Sequence, residues 1–152
     1  MKPDNKILLK LCSDCKTTVH KNMNNFIAFA QNILMNKTFI TSAYSLLPFD
    51  KSINTSIDLN NNKSLVKNLG ITLMRMDIEP DLFSFGLSIT ISGSKYSIGE
   101  NATILISAGV SFDKICESIN STEFVNYAYT LFSQQIDDCF STIQLKELIN
   151  IT

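Results

Sequence analysis

A single histidine, a single arginine, no tryptophan, three prolines and five glycines in 152 residues set the first limits. With only His20 available, any site built on two or more imidazoles is excluded. The lone Arg75 removes the guanidinium forks that read base edges, and thirteen basic against fourteen acidic residues leave a net charge of −1. Nucleic-acid binders need clustered Lys and Arg to displace counterions, so DNA and RNA are not expected partners. The glycines form no phosphate-cradling loop, and neither a nucleophile elbow nor a catalytic-cysteine signature is present. No apolar run approaches the roughly 20 residues that span a membrane. The first six residues carry Pro3 and Asp4 where a signal peptide needs uninterrupted basic residues. The expectation is a cytoplasmic chain with no membrane partner.

What remains is ordinary globular composition: 45% hydrophobic and 18% charged residues, enough for one core in a single domain over 1–152. The excess of Asn, Ile and Lys suits an AT-rich genome, which hints at a microbial or viral source, and the abundance of Asn, Ser and Thr accounts for the six Asn-x-Ser/Thr sequons.

From Lys6 to Asn36, Leu8, Cys12, Cys15, Val19, Met23, Phe26, Ala30 and Ile33 step by three or four, which predicts one helix of about eight turns over 5–35, with Asp4 as N-cap. Residues 36–69 read as irregular, because Thr38–Leu47 is apolar on both strand faces and Asp50–Asn62 is rich in Asn and Ser. A meander is predicted over 70–107. Phe83, Phe85, Leu87, Ile89 and Ile91 alternate with Ser84, Gly86, Ser88, Thr90 and Ser92, the pattern of a strand with one buried face. A two-residue Gly93-Ser94 turn would set Ile91 opposite Tyr96 and Ile89 opposite Ile98. Ala102, Ile104 and Ile106 then join that side. A four-residue Glu79–Leu82 turn would aim Met74, Met76 and Ile78 at the same core.

C-terminal helices are predicted over 111–149. Ser111 caps a segment bearing Phe112, Ile115, Cys116 and Ile119, and Asn120 with Glu123 makes a capping box for a second segment with Phe124, Tyr127, Ala128, Leu131, Phe132 and Cys139 on its face. A last turn or two follows around Leu145–Ile149. The fold class is α+β: a long N-terminal helix and C-terminal helices packed on one face of an antiparallel β-meander of about four strands.

Cys12-Ser13-Asp14-Cys15 is the one textual motif with chemistry attached. At the start of a helix such a pair would resemble the thioredoxin family, but at these two cysteines only. The aromatic expected before the first Cys is Leu11, and neither Pro48 nor Pro80 has the context of that family's cis-proline. Both cysteines are in phase with the apolar stripe, where helical neighbours stand about 5–6 Å apart at Cβ, too far for a disulfide. They read as buried thiols. Cys12, Cys15 and His20 form a weak alternative metal set, since structural zinc normally pairs two short ligand spacings and His20 lies about 80° off the cysteine stripe. Asp137 and Asp138 point apart on a helix, and Asp77, Glu79 and Asp81 suit a turn at Pro80. No cofactor is expected.

The outer strand face, with Ser84, Ser88, Thr90 and Ser92 as the partner-binding candidates, offers small hydroxyls on which another chain could lie without burying unpaired charge. A solvated strand face carries the same pattern. The strand around Thr72–Ile78 offers an edge for pairing with another chain, including a second copy. By elimination the expectation is a non-enzymatic protein-binding domain, a small neutraliser such as a toxin-immunity protein, a phage or viral inhibitor, or a secretion chaperone. The alternatives are a redox or metal protein using Cys12 and Cys15, and a small enzyme whose pocket is built from ordinary polar residues.

Overall fold

The computed structural model of the chain describes residues 5–35, 52–59, 65–75, 82–92, 101–119 and 121–149. Among these residues eight elements follow in order: α1 (Asn5–Met35), β1 (Ser52–Asp58), β2 (Val66–Arg75), β3 (Leu82–Ser92), β4 (Asn101–Ser111), α2 (Phe112–Ile119), α3 (Phe124–Cys139) and α4 (Thr142–Ile149). The strands form one antiparallel sheet in the order β1-β2-β3-β4. The fold is α+β, with the helices against one face of a four-stranded meander.

The stripe expected for α1 is the buried one. Leu8, Cys12, Cys15, Val19, Met23, Phe26 and Ala30 are all in the core, and Ile27 and Leu34 join them, while Ile33 is only half-buried. α1 lies against β1 and β2 and packs along α3, which covers the other half of the sheet. Phe85 at the middle of β3 stands 6.1 Å from Phe124 and 5.3 Å from Phe132, ring centre to ring centre, so one aromatic cluster joins sheet to α3. Tilted pairs at this spacing add to simple burial because ring edges meet ring faces. Thr18 and Ser118, the two buried polar side chains among the described residues, donate to carbonyls one turn back, Asp14 O at 2.8 Å and Lys114 O at 2.6 Å, so neither is left unsatisfied. Gln31 donates from Nε2 to both Ile119 O and Ser121 O at 2.9 Å, tying α1 to the α2–α3 connection.

The sheet departs from expectation in four places. First, the span read as irregular over 36–69 holds β1 and the start of β2. Inside its Asn- and Ser-rich text, Ile53, Thr55 and Ile57 alternate with Asn54, Ser56 and Asp58, and an edge strand with one wet face tolerates such polar partners.

Second, Ile91 faces Ala102 and Ile89 faces Ile104, not Tyr96 and Ile98. An eleven-pair ladder between β3 and β4 stabilises more than a short strand after a two-residue turn, and both registers keep the same apolar parity. β4 also runs past 107 to Ser111.

Third, Leu73 pairs with Phe85 and Met74 with Ser84, so Leu69, Ile71 and Leu73 are the buried set of β2 and Met74 faces out. The slip of one residue reverses the side; Met76 and Ile78 lie outside the described residues. Fourth, β2 is internal, so the edge expected around Thr72–Ile78 is occupied by β1, and β4 forms the sheet's other border.

Among the helices, Ser111 caps α2 as expected, its Oγ accepting from Lys114 N–H at 3.2 Å. α3 begins instead with Glu123 as N-cap and no side-chain cap of its own; Ser121 Oγ accepts from Glu123 N–H at 3.0 Å. Asp4, the segment Thr38–Leu47, the Gly93-Ser94 turn and Asn120 lie outside the described residues.

Candidate interaction site

Pairing register fixes which side chains reach the face turned away from the helices. Ser84, Gly86, Ser88 and Thr90 of β3 stand there beside Asn68, Gly70, Thr72 and Met74 of β2 and Thr103, Leu105, Ser107 and Gly109 of β4. All are half-buried or exposed except Gly70, whereas Leu69, Ile71 and Leu73 of β2 and Phe83, Phe85, Leu87, Ile89 and Ile91 of β3, on the opposite face, are at most 1% exposed. Ser92 ends β3 opposite Asn101. The four expected partner-binding positions therefore share one strand at the centre-right of the sheet, flanked on both sides.

Small residues pack closely at the middle of this face. A Cβ on Gly70 would run into Ser88 Oγ, so the serine hydroxyl occupies the space that a larger neighbour would need. Side-chain hydrogen bonds tidy the β1 margin: Thr72 Oγ1 donates to Asn54 Oδ1 and Asn68 Nδ2 to Asp58 Oδ1, both at 2.8 Å. Apart from Lys67 at the irregularity between Val66 and Asn68, Asp58 is the one charged residue among those described on β1–β4 whose register places it on this face. Leu105, 79% exposed, is its largest apolar projection.

Cys12 is 5% exposed and Cys15 fully buried, and both are free thiols. Burial pushes the Cys15 thiol up to about 12, with Cys12 and the Asp14 carboxylate adding to the rise. Burial also raises Cys12 and Cys139. A redox or metal-binding thiol must reach the thiolate, and these environments oppose it. Among the described residues no three His, Cys, Asp or Glu side chains converge as metal ligands.

His20 is engaged elsewhere. Its Nδ1 lies 2.6 Å from Tyr129 Oη and its Nε2 2.8 Å from Asp137 Oδ1, so α1 and α3 are joined by a Tyr–His–Asp chain. In the neutral ring Nε2–H donates to the carboxylate and Tyr129 donates to Nδ1. In the protonated ring both nitrogens donate and the Tyr129 oxygen accepts, so the chain persists in either state. No sequence signal joins positions 109 and 117 residues apart, and Asp137 reads in isolation as plain surface charge. Such a chain is also the layout of a relay to a nucleophile; none of its three members lines the two clefts described below. We read it as a clasp between helices.

No family model, curated protein or solved structure matches this chain. The geometry therefore stands alone.

Of the two clefts, the first, about 410 Å³, runs between α1 and the start of α4 and includes Cys12, Ser13, Lys16 and Ser141. The second, about 470 Å³, follows the border of the sheet. Thr103, Ile104, Leu105 and Ile106 of β4 form one wall, and Gln135, Asp138 and Cys139 of α3 with Gln144 of α4 form the other. Sequence reading did not single out any of these β4 residues as functional, because without the sheet order nothing marks β4 as a border strand.

Proposed function

We propose that this chain is a non-enzymatic protein-binding domain, a small neutraliser of a partner protein of the toxin-immunity, phage or viral inhibitor, or secretion-chaperone kind. It presents the outer sheet face around Ser84, Ser88 and Thr90 to that partner in the cytoplasm. The observation that carries the reading is the chemistry of this face: half-buried along β2 and β3 and exposed along β4, rich in hydroxyls and glycine, and nearly free of charge among the described residues. A partner covering it would desolvate hydroxyls that hydrogen-bond readily, and would strip water from few ions, which is the costly part of forming an interface. The free thiols of Cys12, Cys15 and Cys139 are in keeping with a reducing compartment.

Site-directed photocrosslinking in the native host tests this. A crosslinker at Ser88 should capture one protein that a crosslinker at Phe29, on the exposed side of α1, does not. Calorimetry with that purified protein should then show binding that Ser84→Lys with Thr90→Glu weakens at least about tenfold, as expected when charges are buried without partners. Equal capture from both positions, or binding indifferent to the two substitutions, would overturn the assignment.

A further inference from the structure

β4 borders the sheet, and among the described residues nothing pairs with its outward backbone. Eleven residues long, Asn101-Ala-Thr-Ile-Leu-Ile-Ser-Ala-Gly-Val-Ser111 carries no charge and no proline, and its ladder with β3 runs through eleven consecutive pairs without a bulge. Those are the devices by which sheet borders normally avoid joining another chain. The opposite border differs, since β1 has seven residues and ends in Asp58.

The composition of β4 also says what fits it. Antiparallel pairing of β4 with a second β4 overlaps all eleven residues only when Ile106 sits on the two-fold axis. Ile104 then faces Ala108, Ala102 faces Val110, Leu105 faces Ser107 and Thr103 faces Gly109 of the other copy. Every inner-face residue meets an inner-face residue, so the apolar side of the sheet runs unbroken across the junction, and no like charges are opposed. An offset by one residue would set Ile and Val against Ser and Thr, so parity alone discards half of the registers. The cleft along Thr103–Ile106 leaves room for the incoming strand beside Gln135 and Asp138 of α3.

We propose that the chain forms a two-fold dimer through β4–β4 pairing, making an eight-stranded antiparallel sheet whose outer faces are continuous. The proposal concerns the border of the sheet and not its face, so it stands or falls separately from partner binding. Two eleven-residue strands run side by side for about 37 Å, an interface at the small end of specific ones, so dissociation constants on the order of 10 µM are expected.

Sedimentation equilibrium from about 1 µM to about 500 µM brackets that constant and should show monomer passing to dimer, with β4 amides exchanging hydrogen more slowly as concentration rises. The register is tested by paired substitutions at two exposed positions, Leu105 and Ser107. Leu105→Lys with Ser107→Lys opposes like charges twice across the axis, whereas Leu105→Lys with Ser107→Glu opposes unlike charges twice. The first should dimerise at least about tenfold more weakly than the second, both keeping the wild-type circular dichroism spectrum. A wild-type chain monomeric throughout the range, or a dimer that treats the two variants alike, would overturn the proposal.

Discussion

Cys15 gives the sharpest thermodynamic test of the core. Buried in the stripe of α1, its thiol ionises near 12 in the folded chain against an ordinary value of 9.0. The unfolded chain therefore loses this proton first as pH rises, and wherever the unfolded state binds fewer protons, stability falls with pH. The contribution of Cys15 is fully present below pH 9 and is lost as pH climbs toward 12, at about 1.4 kcal/mol for each pH step, about 4 kcal/mol in all. Cys15→Ala removes the ionising group and leaves a small cavity, costing about 1 to 2 kcal/mol at neutral pH. Urea unfolding of both proteins from pH 7 to 10.5 should show a constant gap in favour of the wild type up to about pH 9. The gap then closes, and the curves should cross near pH 10 to 10.5. Lysines and tyrosines titrate in both proteins and cancel in the difference. A gap that stays constant to pH 10.5, or rapid alkylation of Cys15 in the native protein at pH 8, would refute the claim that this sulfur is sealed in the core.

Two further outcomes follow from packing and hydrogen bonding. Phe85→Ala, which empties the junction between β3 and the Phe124 and Phe132 rings, should cost about 3 to 5 kcal/mol in urea unfolding, and Phe85→Leu, which keeps most of the volume, about 1.5 kcal/mol or less. A double-mutant cycle on His20→Ala and Tyr129→Phe should return a coupling of about 1 kcal/mol, while the His20–Asp137 pair, with side chains 24% and 47% exposed, should return less and fade in high salt.

The legible parts of the fold were those where one periodicity acted alone. α1 could be read because its stripe continues through about eight turns of chain with no glycine or proline, and β3 because its alternation has no exception over ten residues. β1 was hidden by composition: Asn and Ser are common in loops, yet on an edge strand they need only face water. The registers were hidden for another reason. Parity decides which residues are inside, but any shift of two residues preserves it, so Ile91 could be assigned to the correct face and to the wrong partner. Met74 shows the reverse failure, in which a turn length chosen by one residue inverted a whole strand. The His20 clasp and the two Gln31 bonds join residues about 90 to 120 positions apart, which local patterns cannot reveal.

The sheet's outer face and its β4 border are linked by where the chain puts its charges. Among the described residues most sit on helices, such as Lys10, Lys16 and Lys21 on α1, Asp113, Lys114 and Glu117 on α2, and Asp137 and Asp138 on α3, while the strands carry Asp58, Lys67 and Arg75. A sheet with helices on one side must leave the other to water or to another chain, and a face committed to water gains solubility from Lys and Glu at its exposed positions. Here the described positions on β2–β4 are Ser, Thr and Gly with Asn68 and Met74, and Leu105 stands out beside a border that nothing pairs among the described residues. Neutral surface is costly to keep in solution as an aggregation hazard and useful only where something covers it. That asymmetry, more than any single residue, is why we propose the sheet and not the cysteine pair as the docking surface.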